Sequence, residues 1–212
     1  MCAHGARTAR GGLASCLLLA ALLAGGCASV GQFKGLPLRD SGVYVSGVPP
    51  VRQDQDYACG PACLAAVAAH WGVSLADFTA RHPRLPADTT GGDLQKLAGD
   101  LGLQAVAYRG SLEDLRQNLD AGRPVIVMIP MPLVARGGLV ADLILNAWNA
   151  AGPRPAHWVV VLGMTGDGRL IVHDPASGPL WVKREDFEEW WAQKDHLCVL
   201  VAAPPEAPAK SG

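Results

Sequence analysis

Past residue 122 the chain changes texture, and that change restricts the fold more than any other feature of the sequence. Before it, apolar residues recur at helical spacing. Gly60 to His70 is Ala-rich and closes at Trp71-Gly72, and Asp77 to Arg81 is a short second helix that Pro83 ends. Gly92 to Asp100 carries Leu94, Leu97 and Ala98 on one face. Leu112, Leu115 and Leu119 mark another helix, opened by Ser111 and closed at Gly122. Beyond lie β-rich runs bounded by Gly, Pro and Asp: Pro124 to Ile129, Trp158 to Leu162, Leu170 to Val172, Leu180 to Val182 and Leu197 to Ala202. Gly166-Asp167-Gly168 is a hairpin turn between two of them, and Leu103 to Tyr108 is one more strand within the helical half. Helices first and an antiparallel sheet afterwards is an α+β arrangement, expected here with the N-terminal helices packed on one side of the C-terminal sheet. Residues 133–155 read as a long loop, with a short helix around Ala141 to Trp148. Such connections often lie over binding sites.

The first residues read as an address rather than as fold. Arg7 and Arg10 make a positive start, and Leu13 to Ala24 is an apolar stretch too short to span a bilayer comfortably. Gly25-Gly26-Cys27 follows. The ending on Cys resembles a bacterial lipoprotein signal. That implies a signal over 1–26, acylation of the Cys27 thiol, and a chain anchored by lipid in the cell envelope facing the periplasm. Ala28 matches outer-membrane sorting. A plain export signal, with a secreted periplasmic product, and a retained membrane anchor are the other readings. Gly25-Gly26 also has the form of a double-glycine leader end, but it follows a hydrophobic signal rather than an amphipathic leader. The Gly-rich residues from 27 to 45 read as a tether, 46–203 as one domain, and the Pro-rich 204–212 as a disordered tail.

Composition supports a single globular domain: hydrophobic residues are 50% and charged residues 17% of the chain. With a net charge of −1 and no Lys/Arg run to track phosphates, nucleic acid is excluded as a partner. Cysteine usage narrows further. Cys2 and Cys16 leave with the signal and Cys27 would carry lipid, so Cys59, Cys63 and Cys198 remain. An odd number leaves at least one thiol free in an oxidising compartment, and a Cys59–Cys63 bridge within a helix would be strained.

Cys59 stands just before the Ala-rich helix, in Gln53-Asp54-Gln55-Asp56-Tyr57-Ala58-Cys59-Gly60-Pro61-Ala62-Cys63. Unpaired N–H groups and the dipole at a helix start stabilise a thiolate. Gly60 leaves room for a substrate backbone, and Pro61 suits a first turn that does not need its N–H. Gln53 can turn its amide to a developing oxyanion, with Gln55 as a rival for that role. His157 opens the strand His157-Trp158-Val159-Val160-Val161, rigidly held yet at the strand end where it can be reached. One hairpin later, Asp174 in His173-Asp174-Pro175 can accept from His157 across the sheet and hold its tautomer. His173 would face away from Asp174. His70 reads as a helix-end residue, His82 and His196 as loop residues, and Cys63 as core. Cys59, Cys63 and a histidine lack the second close pair that a zinc site needs, so no metal or cofactor is expected.

The order Gln, Cys, His, Asp matches the papain-like plan. Gln53…Cys59-Gly60-Pro61-Ala62-Cys63-Leu64, His157 before a valine run, and Asp174-Pro175 resemble the C39 peptidase family over residues 46–203. Asp93-Leu94 through Gly102-Leu103, and Gly122-Arg123-Pro124-Val125-Ile126-Val127, share the likeness. The resemblance implies a papain-like fold and a cysteine peptidase, with Cys59 as nucleophile, His157 as base, Asp174 as orienter and Gln53 as oxyanion donor. Its substrate would be a peptide or protein of the cell envelope. Domains of this family are best known on bacteriocin-exporting transporters, where they remove double-glycine leaders. A transporter or secretion partner encoded elsewhere is therefore implied, and ATP binding is not. Two other functions remain open at this stage: a non-catalytic peptide-binding module on the same fold, and an acyl transferase.

Overall fold

The structure is a computed structural model, and it describes residues 30–33, 42–55, 57–84, 88–130 and 155–204. The export signal, Cys27, nearly all of the 133–155 loop with its short helix, and the tail from 205 lie outside those residues.

The described helices are α1 (Cys59–His70), α2 (Leu75–Arg81), α3 (Gly91–Asp100), α4 (Leu112–Asp120) and α5 (Arg184–Ala192). Their starts follow from the sequence. Ser74 accepts the N–H of Asp77, and Thr90/Asp93 and Ser111/Asp114 form reciprocal capping boxes. The strands are β1 (Val30–Gln32), β2 (Val43–Tyr44), β3 (Gln104–Arg109), β4 (Val125–Pro130), β5 (Ala156–Met164), β6 (Leu170–Asp174), β7 (Gly178–Val182) and β8 (Leu197–Ala202).

They form one sheet in the order β1-β7-β6-β5-β4-β8-β3, and every pair is antiparallel. β2 lies beyond the end of β4 on the same edge of β5, with Val43 opposite Met164 and Tyr44 opposite Gly163. The approach is so close that a Cβ on Gly163 would lie 2.5 Å from the Val43 carbonyl oxygen, and the β5–β6 register shifts at that point.

Side-chain alternation sorts the sheet into two faces, and both are covered. On one, Trp158, Val160 and Leu162 pack with Leu64 and Val67 of α1, Phe78 of α2 and Leu94 and Leu97 of α3. On the other, Val159, Val161 and Val172 pack with Leu115 and Leu119 of α4 and Phe187 and Trp191 of α5. The expectation of helices on one side is thereby corrected, because β5 is buried along both faces from His157 onward. Three further elements differ from the sequence reading. Val30–Gln32 and Val43–Tyr44, inside the segment read as a tether, pair with β7 and β5. Arg184–Ala192, given no element from sequence, is a helix that seats Phe187 and Trp191 fully buried. Among the described residues no helix is long and apolar enough to cross a membrane.

Candidate active site

α1 begins without a side-chain cap: Ala58 precedes it, and its first turn holds no acidic residue. The Ala62 N–H makes the first helical bond, to the Ala58 carbonyl at 3.0 Å, and Pro61 has no N–H to satisfy. Donors that the helix does not use therefore lie around Cys59, and no carboxylate of the first turn competes for them. Cys59 is the first helical residue, one place further in than the sequence reading put it.

The sheet brings the partners. β5 and β6 run with Val160 opposite His173, which sets Asp174 one pair on, opposite Val159 and diagonal to His157 on one face. His157 Nε2–H donates to Asp174 Oδ1 at 2.9 Å, with the two residues each 2% exposed. The same carboxylate oxygen accepts the Ala176 N–H at 2.7 Å, so Asp174 is held in place by its own turn. With Nε2 committed to Asp174, Nδ1 is the ring nitrogen left to address Cys59. It is buried and has no conventional hydrogen-bond partner, while the thiol acts on the ring closely enough to shift both groups.

The directions of those shifts are informative. Burial alone would raise the Cys59 thiol, but its contact with His157 and the backbone of Trp158 and Gly60 outweigh that and lower it from 9.0. Burial would likewise lower the imidazole, yet the bonds to Asp174 and to Cys59 push His157 up to about 9. Burial also works against Asp174, and His157 with the Ala176 N–H overcomes it, so its carboxyl lies below the ordinary range. All three displacements favour a proton on His157 between two anions, which is the charge pattern of a thiolate–imidazolium pair. Burial pushes Cys63 well above 9.0 and Cys198 to about 12, so both stay thiols. Cys63 is fully buried and donates to the Trp158 carbonyl at 3.3 Å, as its core reading expects.

Gln53 lies on the same side of the molecule. Its backbone N–H donates to the Pro175 carbonyl at 3.0 Å, next to Asp174, and its amide Nε2 donates to the Gln55 carbonyl at 3.1 Å. Gln55 offers its carbonyl to this turn, and its side chain is exposed. Gly60 plays another part than the one expected: a Cβ there would meet Thr89 Cβ and Trp158 Cδ1 at 3.0 Å, so its absent side chain serves interior packing.

The remaining histidines stand elsewhere. His70 Nε2 meets the Gly122 carbonyl at 3.1 Å, His196 Nε2 meets Glu188 at 2.9 Å, and His82, buried rather than in an open loop, packs on Phe78. Trp158 and Ala176 were not singled out from sequence. Trp158 is buried beside the thiol with its indole N–H on the Thr89 carbonyl at 2.8 Å, and a tryptophan after the base histidine was the available signal. Ala176 acts through its backbone, which leaves no trace in residue type. Among the described residues no group of three or more His, Cys, Asp or Glu is placed to hold a metal.

The profile of the Peptidase_C39 like family matches residues 45–199. A crystal structure assigned to the C39-like peptidases, from Bacillus anthracis, is 20% identical with a TM-score of 0.56, covering 79% of this chain and 100% of that one. The peptidase domain of Streptococcus ComA, a bifunctional ABC transporter of a quorum-sensing pathway, is 24% identical with a TM-score of 0.53, covering 73% and 97%. A double glycine motif protease from an AMS/PCAT transporter, in complex with the leader peptide, is 21% identical with a TM-score of 0.50, covering 78% and 100%. The fold is thus that of the C39 peptidases. Comparison with curated proteins returns no match.

Proposed function

The chain belongs to the C39-like peptidase family, and from that premise we propose that it is a cysteine peptidase that cleaves peptide or protein substrates in the cell envelope. What supports the reading is one arrangement: a thiol at a helix start, lowered by an imidazole that a buried carboxylate holds at 2.9 Å.

In this scheme the Cys59 thiolate attacks the scissile carbonyl carbon and a C–S bond forms as the carbonyl electrons move onto oxygen. Gln53 donates an amide N–H to that oxyanion. The oxyanion collapses, the C–N bond breaks, and the proton on His157 passes to the leaving amine, leaving a thioester. Water, deprotonated by His157, then attacks the thioester, releases the acid and returns Cys59 to its starting state. Asp174 keeps the ring oriented and stabilises its charged form throughout.

The leader peptide bound in one similar structure makes peptides containing Gly-Gly the first substrate class to try. A lipid anchor at Cys27 and a transporter partner are further parts of this proposal. They rest on the export-type N-terminus and on the transporter origin of two similar domains.

The test is to incubate the full chain, in detergent, with internally quenched Gly-Gly peptides, quench in acid and weigh the protein. Cleavage together with an acyl adduct on Cys59, both lost in Cys59→Ala and His157→Ala, is the expected result. Peptide binding with neither cleavage nor adduct would replace hydrolysis with a peptide-binding role.

A further inference from the structure

We propose that His173 is a positioning residue: its imidazole takes the place of backbone donors missing from the turn after β6 and so holds the Gln53 segment in register with Asp174. The inference rests on the peptidase reading above, since it concerns the delivery of Gln53 to the oxyanion.

The segment around Gln53 forms neither helix nor strand, so its position depends on individual links to the 174–178 turn. A regular antiparallel neighbour would receive N–H groups from that turn, but its central residues 175–177 offer none. Pro175 has no N–H. The Ala176 N–H is spent on Asp174 Oδ1 at 2.7 Å, and the Ser177 N–H closes the turn on the Asp174 carbonyl at 3.2 Å. The Val51 carbonyl is met instead by His173 Nε2 at 2.8 Å. A carbonyl only accepts, so this nitrogen carries the proton. His173 is 1% exposed, and burial lowers its pKa, which is consistent with a neutral ring kept as a fixed donor. Two more links complete the clamp: the Gln53 N–H on the Pro175 carbonyl at 3.0 Å, and Arg52 Nη1–H on the Ala176 carbonyl at 3.0 Å.

The pattern explains why adjacent residues on β6 do different work. Asp174 turns to His157, while His173 turns to the opposite face and reaches Val51. The sequence reading that His173 faces away from Asp174 agrees with this, and its far side is where the Gln53 segment is fastened. One strand end thus sets both the orienting acid and the register of the oxyanion donor.

The experiment compares two reactions of Cys59 in the full chain. Iodoacetamide alkylates the thiolate by displacement at carbon and forms no oxyanion. p-Nitrophenyl acetate is attacked at its carbonyl: a C–S bond forms, the C–O bond breaks, p-nitrophenolate leaves, and an oxyanion forms on the way. His173→Phe, which keeps a ring but has no donor, is expected to keep the wild-type alkylation rate and to lose acylation roughly tenfold. His173→Gln, whose amide can donate, recovers part of that loss. In a Gln53→Ala background His173→Phe costs nothing further, because the two act through one group. Equal acylation in His173→Phe and wild type, a parallel fall of both reactions, or an additive loss with Gln53→Ala would each overturn the inference while leaving the peptidase reading in place. Wild-type acylation in Gln53→Ala alone would instead remove the oxyanion role of Gln53, and the inference with it.

Discussion

Asp174 keeps its charge against its own burial. It is buried, which by itself favours the neutral acid, and its charge survives because His157 and the Ala176 N–H outweigh that cost. The same bond is a principal reason why the His157 imidazole stands at about 9 although burial pulls it down. A pH profile follows. Below about 9 the ring holds the proton that the leaving amine needs; above it the ring is neutral, so kcat/KM for a cleaved peptide falls with a limb near pH 9. Asp174→Asn removes the charge and leaves only a neutral amide oxygen as acceptor while burial remains, so the limb moves to lower pH and kcat drops by roughly 10²-fold or more. Kinetics from pH 5 to 10 on both proteins check this, and a limb that stays put in the variant would separate Asp174 from the base.

Helix α1 delivers the thiol, and its seat against β5 depends on a missing side chain. Gly60→Ala improves helix propensity by about 1 kcal/mol. The new Cβ, however, would meet Thr89 and Trp158 at 3.0 Å, and Trp158 is pinned by its indole bond to the Thr89 carbonyl. Overpacking at such a site costs about 1–3 kcal/mol, so the expected net is destabilisation of up to about 2 kcal/mol with slower alkylation of Cys59, read by urea unfolding and by mass. A stabilised variant with unchanged reactivity would contradict the packing account. At this scale much was legible: α1 is Ala-rich between clear punctuation, α3 shows Leu94, Leu97 and Ala98 at helical spacing, and α4 is opened by Ser111. β2 was not, because two residues carry no period. In α5 only Phe187 and Trp191 are buried, too few positions in nine residues to show a helical repeat. The helices on both faces did leave a signal. Val125 to Ile129 and Trp158 to Leu162 are unbroken apolar runs rather than alternating ones, the mark of a strand covered on both sides.

The whole molecule gathers its site from three distant stretches, around Gln53 to Cys59, at His157 and at Asp174, and one sheet with one helix start makes them neighbours. Residue type and order pointed to Cys59, His157 and Asp174 as candidate nucleophile, base and acid, because each such role needs a particular chemistry at a strand or helix end, and the structure brings the three together. What joins them was not readable: the Ala176 backbone donor and the His173 link to Val51 depend on turn geometry. Cys59 is also the only one of Cys59, Cys63 and Cys198 not driven upward in pKa, and the least buried of the three. Selectivity among the thiols is therefore expected from burial alone and proves little, so the folded chain must be judged against its own unfolded state. The decisive measurement is the rate at which iodoacetamide alkylates Cys59 at pH 6, followed by mass, in the folded chain, in the chain unfolded in urea, and in folded His157→Ala. Faster alkylation folded than unfolded, despite burial, with the advantage gone in His157→Ala, is the predicted result. A folded Cys59 that reacts no faster than the unfolded one would contradict the activated thiolate–imidazolium pair.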